Sequence, residues 1–185
     1  MVLRAQVRFT YDLLKSTPDD GKRYEILDGE LYVTPAPNRR HQRLSKWIQH
    51  FLFQHVELEE RLGEIYDAPF DVILAEDQVV QPDLLFVKRQ RASLLSDRGL
   101  EGAPDLVVEI LSPKTRDRDL TLKRAVYGRF GVAEVWFVDP DLDRVAVWTL
   151  REAGYQLVGD FSAGDRLESL VLPGLLIDLQ KVFER

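Results

Sequence analysis

Two apolar stretches each hold a carboxylate that is out of place. They are Gln81-Pro82-Asp83-Leu84-Leu85-Phe86-Val87 and Pro104-Asp105-Leu106-Val107-Val108-Glu109-Ile110-Leu111-Ser112-Pro113. Runs this apolar read as strands buried on both faces. A carboxylate inside such a strand is costly unless a charged group answers it. If the two strands are neighbours, Asp83 and Glu109 share one partner, most economically a divalent cation, with the Ile110 carbonyl as a third oxygen. Lys123 lies on the helical stripe Leu120, Lys123, Tyr127, Phe130 and leans toward the same place. A lysine beside two carboxylates and a metal can hold and polarise an attacking water. Lys114, in the loop after Glu109, is a second candidate for that role. The plainer reading is two strand-end carboxylates paired with arginines and a lysine snorkelling along a helix flank.

Composition narrows the chemistry. The chain has no cysteine and three histidines, His41, His50 and His55. Thiolate metal sites, disulfides and cysteine nucleophiles are excluded, and imidazole cages have few donors. Ligands would mostly be oxygens, which favours magnesium, manganese or calcium, with magnesium the first choice and manganese the second. The net charge of −6 argues against a general nucleic-acid coat protein but not against a local basic site. Arg39-Arg40-Arg43, Lys88-Arg89-Arg91 and Arg116-Arg118 would supply one as a phosphate-tracking stripe. A length of 185 residues with 45% hydrophobic content suits a single domain over 1–185 with an ample core. No apolar run is long enough for a bilayer and no leader pattern precedes the mixed opening residues, so a soluble, cytoplasmic protein is expected.

The elements that must position these residues are read in order. Thr10 to Lys15 reads as a short helix. Asp28-Gly29 between Tyr24–Leu27 and Glu30–Thr34 is a hairpin turn. Asn38 is a helix N-cap, and Leu44, Trp47, Ile48, Phe51, Leu52, Leu58 and Leu62 give one buried stripe closed by Gly63. Phe70–Leu74 and Val79–Val87 follow as strands. A charged connection, with a short helix around Ala92–Leu95, leads to the strand Pro104–Leu111. A second helix begins at Asp117 or Asp119 and ends at Gly131. Ala133–Val138, Arg144–Leu150 and Tyr155–Phe161 are strands, and Leu175–Phe183 is helical. The fold class expected is mixed α/β, one sheet flanked by helices.

The chain resembles the PD-(D/E)XK superfamily of restriction-endonuclease-like nucleases. The order helix, three strands, helix, strand is similar to its core, with an N-terminal hairpin and C-terminal strands and helix added. Pro82-Asp83 looks like the first half of its motif and Glu109-Ile110-Leu111 like the second, except that Leu111 stands where the motif lysine belongs. Some branches supply that lysine from the following helix, and Lys123 fits such a migration. More closely, the chain is similar to the Uma-two family. The matching stretches are Tyr24–Glu30, Arg40-His41-Gln42, Val80–Asp83, Ala103–Pro113 and Val135–Pro140. The resemblance implies hydrolysis of DNA phosphodiesters with a divalent metal. It marks Glu30 as a further acidic group at the site and His41 as a phosphate-binding or assisting residue. Gln81 and Ser112 flank the carboxylates and would orient them. A homodimer is expected by analogy, because double-strand cutters need two sites. The rival readings are a non-catalytic nucleic-acid-binding or assembly module that keeps the fold, and a small-molecule metal hydrolase with a closed pocket.

Overall fold

The structure is a computed structural model that describes residues 8–184. Residues 1–7, which open the mixed N-terminal stretch, lie outside the described residues. After a one-turn helix α1 (Tyr11–Leu14), strands β1 (Arg23–Leu27) and β2 (Glu30–Thr34) form the expected hairpin. Asp28 and Gly29 both take positive φ, 52° and 78°, the mirror-image turn whose twist matches that of the strands. Helix α2 (Arg39–Phe53) is capped by the Asn38 side chain, which accepts the His41 N–H. It buries His41, Leu44, Ile48 and Leu52 along one stripe.

The helix does not run on to Leu62 as the stripe suggested. A π-helical segment, Gln54–Glu59, ends it, and Leu58 is exposed. Gly63 is not a cap but the first residue of strand β3 (Gly63–Asp67), opposite Lys88. There it permits close strand approach: a Cβ on Gly63 would lie 2.0 Å from the Val87 carbonyl oxygen.

Strands β4 (Val72–Ala75) and β5 (Gln78–Val80) follow, and then β6 (Leu84–Lys88). The single strand expected over Val79–Val87 is two strands belonging to different sheets. The charged connection holds a 3-10 turn, Arg89–Leu94, and the short strands β7 (Leu95–Ser96) and β8 (Gly99–Leu100). Then come β9 (Leu106–Ile110), the helical segments α3 (Arg116–Arg118) and α4 (Arg124–Phe130) joined through a π-helical stretch Asp119–Lys123, and β10 (Glu134–Asp139). Gly131 closes that helix with φ 82°. Strands β11 (Arg144–Arg151) and β12 (Gly154–Ser162) form the meander. The expected terminal helix is shorter. A small pair, β13 (Arg166–Leu167) with β14 (Ile177–Asp178), takes its first part, and α5 (Leu179–Phe183) is what remains.

The first sheet has the order β2-β1-β5-β4-β8-β7 and the second β12-β11-β10-β9-β6-β3. Within the second, β9 and β10 are parallel and the other neighbours antiparallel. Its core is α2, β3, β6, β9, the helix over 116–130 and β10, the anticipated helix–three strands–helix–strand order. The strand that opens it is β3, which the sequence pattern does not predict beyond placing Gly63 as a helix cap. The β4–β5 hairpin is an insertion belonging to the first sheet. One face of the second sheet packs Leu84, Phe86, Leu106, Val108 and Trp136 against α2 and α5. The other packs Leu85, Val87, Val107, Val135 and Phe137 against Val126 and Tyr127 and against Leu27, Val72 and Leu100 of the first sheet. Among the described residues, no helix is long and apolar enough to cross a membrane.

Gly63→Ala should test this strand placement. A methyl pressed against a backbone carbonyl must push β3 from β6, at a cost of about 2–3 kcal/mol. Thermal unfolding should shift down by roughly 5–10 °C for a chain of this size. An unchanged melting temperature would contradict the close approach.

Candidate active site

The site forms where the chain changes sheets. Val79 pairs with Ile26 in the first sheet and Leu84 with Val108 in the second. Gln81-Pro82-Asp83 bridges the two, and Pro82, which cannot donate to a ladder, stands at the break. Continuing the register by one step sets Asp83 opposite Glu109. The ladder stops there because the Asp83 side chain takes over the role of a backbone acceptor. Its Oδ2 accepts the Ile110 N–H at 2.8 Å. Oδ1 accepts from the Arg23 guanidinium at 2.7 Å, and His41 Nε2 lies 3.1 Å from Oδ2. Burial raises the carboxyl pKa, but His41, Arg23 and the Ile110 amide outweigh it and hold Asp83 at about 2. Asp83 is therefore ionised at neutral pH.

Alternation along β9 sends Val107, Glu109 and Leu111 toward the helix over 116–130, and Leu106, Val108 and Ile110 toward α2. Leu111 is buried in the apolar cluster of Val107, Val126 and Tyr127, so the motif position brings no ammonium. The helix supplies one instead. Lys123 Nζ lies 2.8 Å from Glu109 Oε1, 2.7 Å from Glu25 Oε1 and 4.0 Å from Asp119 Oδ1. The Tyr127 hydroxyl donates to the same Glu109 oxygen at 2.5 Å. Asp119, Lys123 and Tyr127 stand four residues apart, and the π-helical winding between Asp119 and Lys123 adjusts how they meet the strand. Lys123 is only 2% exposed, a burial lysines tolerate when carboxylates enclose them.

The charges in this cluster do not balance. Burial lowers the Lys123 pKa, but Glu109, Glu25 and Asp119 outweigh it and keep the ammonium charged. Burial drives the Glu109 carboxyl well above the ordinary range. Lys123 pulls it back in part, while Asp119, Asp83 and Glu25 push it further up. Two cations, Lys123 and Arg118, thus answer three carboxylates, Glu25, Glu109 and Asp119, and Glu109 bears the excess. Glu109 Oε2 accepts no hydrogen bond from the described residues.

Asp83, Glu109, Ile110, Lys123, His41, Gln81, Ser112 and Lys114 all line one cavity of about 410 Å³. Lys114 stands exposed at its rim, while the Ser112 hydroxyl bonds Thr115 at 2.9 Å and the Ser112 carbonyl accepts from the Arg116 N–H. Gln81 donates its N–H to Glu25 and its side-chain amide to Asp71.

Glu30 is not brought there. It is exposed on β2 opposite Leu27 and accepts from the Tyr32 hydroxyl at 3.0 Å. β2 reaches the cavity through Thr34, opposite Arg23, whereas Glu30 stands at the turn end of the hairpin, so it is Glu25 on β1 that brings an acid to the cavity. Arg23, Glu25 and Asp119 were not anticipated at the site, and Tyr127 was read only as part of an apolar stripe. The available signals were the alternation of β1, which puts Arg23, Glu25 and Leu27 on one face, and the spacing of four on either side of Lys123.

The basic clusters are mostly answered internally. Arg40 pairs with Asp143, Arg43 bonds the Glu184 carbonyl, Arg116 pairs with Asp139 and Arg118 with Glu25. Lys88 and Arg91 pair with Asp105 at the far end of β6, about 17 Å of strand from Asp83. They do not join the cavity.

The donor set suits a hard cation. Asp83 and Glu109 present carboxylate oxygens, and the Ile110 carbonyl shares the strand edge of its N–H, which already faces Asp83. Among the described residues, no group of three or more His, Asp or Glu side chains is gathered as a metal cage. Magnesium is commonly held by one or two carboxylates, with waters and substrate phosphate completing the shell. The unbonded Glu109 oxygen and the excess negative charge fit that form.

The helix, three strands, helix, strand order of this sheet is that of the restriction-endonuclease-like fold. The Uma2 family, described as "Putative restriction endonuclease", matches residues 10–180, and the chain belongs to this family. A solved structure with the same fold is that of a putative nuclease belonging to DUF820 from Anabaena variabilis. It is 20% identical, with a TM-score of 0.78 over 95% of this chain and 97% of that one. No curated protein matches the chain.

The charge imbalance makes a stability prediction. A carboxyl whose pKa is raised on folding contributes most below its ordinary pKa and loses that contribution as pH rises through its folded value. Glu109→Gln keeps the oxygen that accepts from Lys123 and removes the titration. In chelator, the variant should be more stable than the parent by about 1–2 kcal/mol at pH 8 and nearly equal at pH 5. Urea unfolding at the two pH values checks this, and a gain confined to pH 5 would reverse the sign.

Proposed function

We propose that the chain is a divalent-metal-dependent endonuclease that hydrolyses DNA phosphodiester bonds in the cavity between β6, β9 and the helix over 116–130. The observation that carries the reading is Lys123, held 2.8 Å from Glu109 on the strand next to Asp83. Asp83, Glu109 and the Ile110 carbonyl would hold magnesium, or manganese in its place. When bound, the ion lowers the pKa of its water and neutralises charge growing on the phosphate.

The remaining work falls to side chains of this chain. Lys123 directs a proton-donating ammonium at the attacking water or at a phosphate oxygen, where charge grows in the transition state. His41 and Arg23 hold Asp83 in one orientation. Gln81 and Ser112 fix the loops behind the two carboxylates, and Lys114 at the rim meets incoming phosphate. Cutting both strands takes two such sites, which a two-fold homodimer supplies. A second reading, a DNA-binding module without catalysis, is favoured by the grip of Arg23 and His41 on Asp83, which competes with a metal.

Nicking of supercoiled plasmid separates the two. The expected result is cleavage with magnesium or manganese, none in chelator, and at least about 100-fold slower cleavage by Glu109→Ala and Lys123→Ala. Equal rates in all three, or no cleavage by any, would sink the nuclease reading. DNA retention unaffected by chelator would then support the binding module.

A further inference from the structure

We propose that Glu25 is a positioning residue for Lys123, so that strand β1 of the first sheet is part of the hydrolytic machinery. The inference rests on the cavity being the hydrolytic site. Glu25 is 2% exposed and lines the cavity. Its Oε1 meets the Lys123 ammonium at 2.7 Å and accepts the Gln81 N–H at 2.9 Å. Its Oε2 lies 3.3 Å from Arg118, one residue before the π-helical stretch. One carboxylate therefore ties together the start of the helix, the functional lysine and the crossing that delivers Asp83.

The geometry says why such a residue is needed. Lysine has four rotatable side-chain bonds and no fixed donor direction. Glu109 alone would draw Lys123 onto the metal-binding carboxylate, where the ammonium competes with a cation. Glu25 pulls from the opposite sheet at nearly the same distance, so Nζ is held between the two carboxylates. Arg23, two residues earlier on the same face, holds Asp83 in the same way. Strand β1 thus fixes both Lys123 and Asp83.

Glu25→Gln tests the role, because an amide oxygen still accepts from Gln81 while the charge facing Lys123 is removed. Two readouts are taken on the full chain. In plasmid cleavage, kcat should fall about 10–100-fold with KM within about twofold. Nitrogen-15 NMR of the lysine ammonium groups, assigned with Lys123→Arg and recorded without metal, should show a slowly exchanging Lys123 signal in the parent. That signal should broaden away in Glu25→Gln. An unchanged kcat, a KM effect alone, or a freely exchanging Lys123 ammonium in the parent would overturn the proposal. The parent measurement decides even if the variant does not fold. A parent without cleavage, but with an ordered Lys123 signal that loosens in the variant, would overturn the nuclease reading and leave the positioning role standing.

Discussion

A charged ammonium buried at the end of a β-sheet dictates much of this architecture. Lys123 is out of water, and its charge is tolerable only because Glu109 and Glu25 stand within hydrogen-bond distance and Asp119 nearby. Those carboxylates come from three separate places: the central strand β9, the hairpin strand β1 and the lysine's own helix. Bringing them together requires the first sheet to pack on one face of the second and the helix to lie beside β9. Tyr127, one turn on, closes the remaining side.

The same cluster shows what the proposed hydrolytic site costs the fold. An excess of carboxylates over cations is unfavourable in the isolated chain, and the excess falls on Glu109. Asp83 has the opposite character: its donors hold it ionised. Two acids side by side with pKa values pushed apart is an arrangement associated with functional sites. Such a site is maintained by apolar packing on both faces of the second sheet, not by the charges themselves.

Much of the fold was legible where local physics governs. The Asp28-Gly29 turn, the Asn38 cap and the Gly131 terminus each act within a few residues of chain, and each lies where the sequence puts it. The failures are equally physical. Gly63 looks like a helix cap because glycine often is one, but here it is needed for the approach of Val87 in another strand. Val79 to Val87 is one apolar run, and nothing local says that its halves join different sheets. Ile177 pairs with Leu167, a nonlocal partner that overrides the helical pattern of the last residues.

For the site, residue types alone determined that oxygen ligands were the only rich supply, that Asp83 and Glu109 were anomalous in apolar strands, and that Leu111 displaced the expected lysine. Periodicity pointed Lys123 inward. Tertiary structure decided which acid joined them. Glu25 and Glu30 sit on the two arms of one hairpin, and each is an ordinary polar residue in an alternating strand. Only the way the hairpin docks, with its open end (Arg23, Glu25, Thr34) at the cavity and its turn end away from it, makes Glu25 part of the site and leaves Glu30 in water. That docking is set by packing between distant segments, which no local pattern encodes.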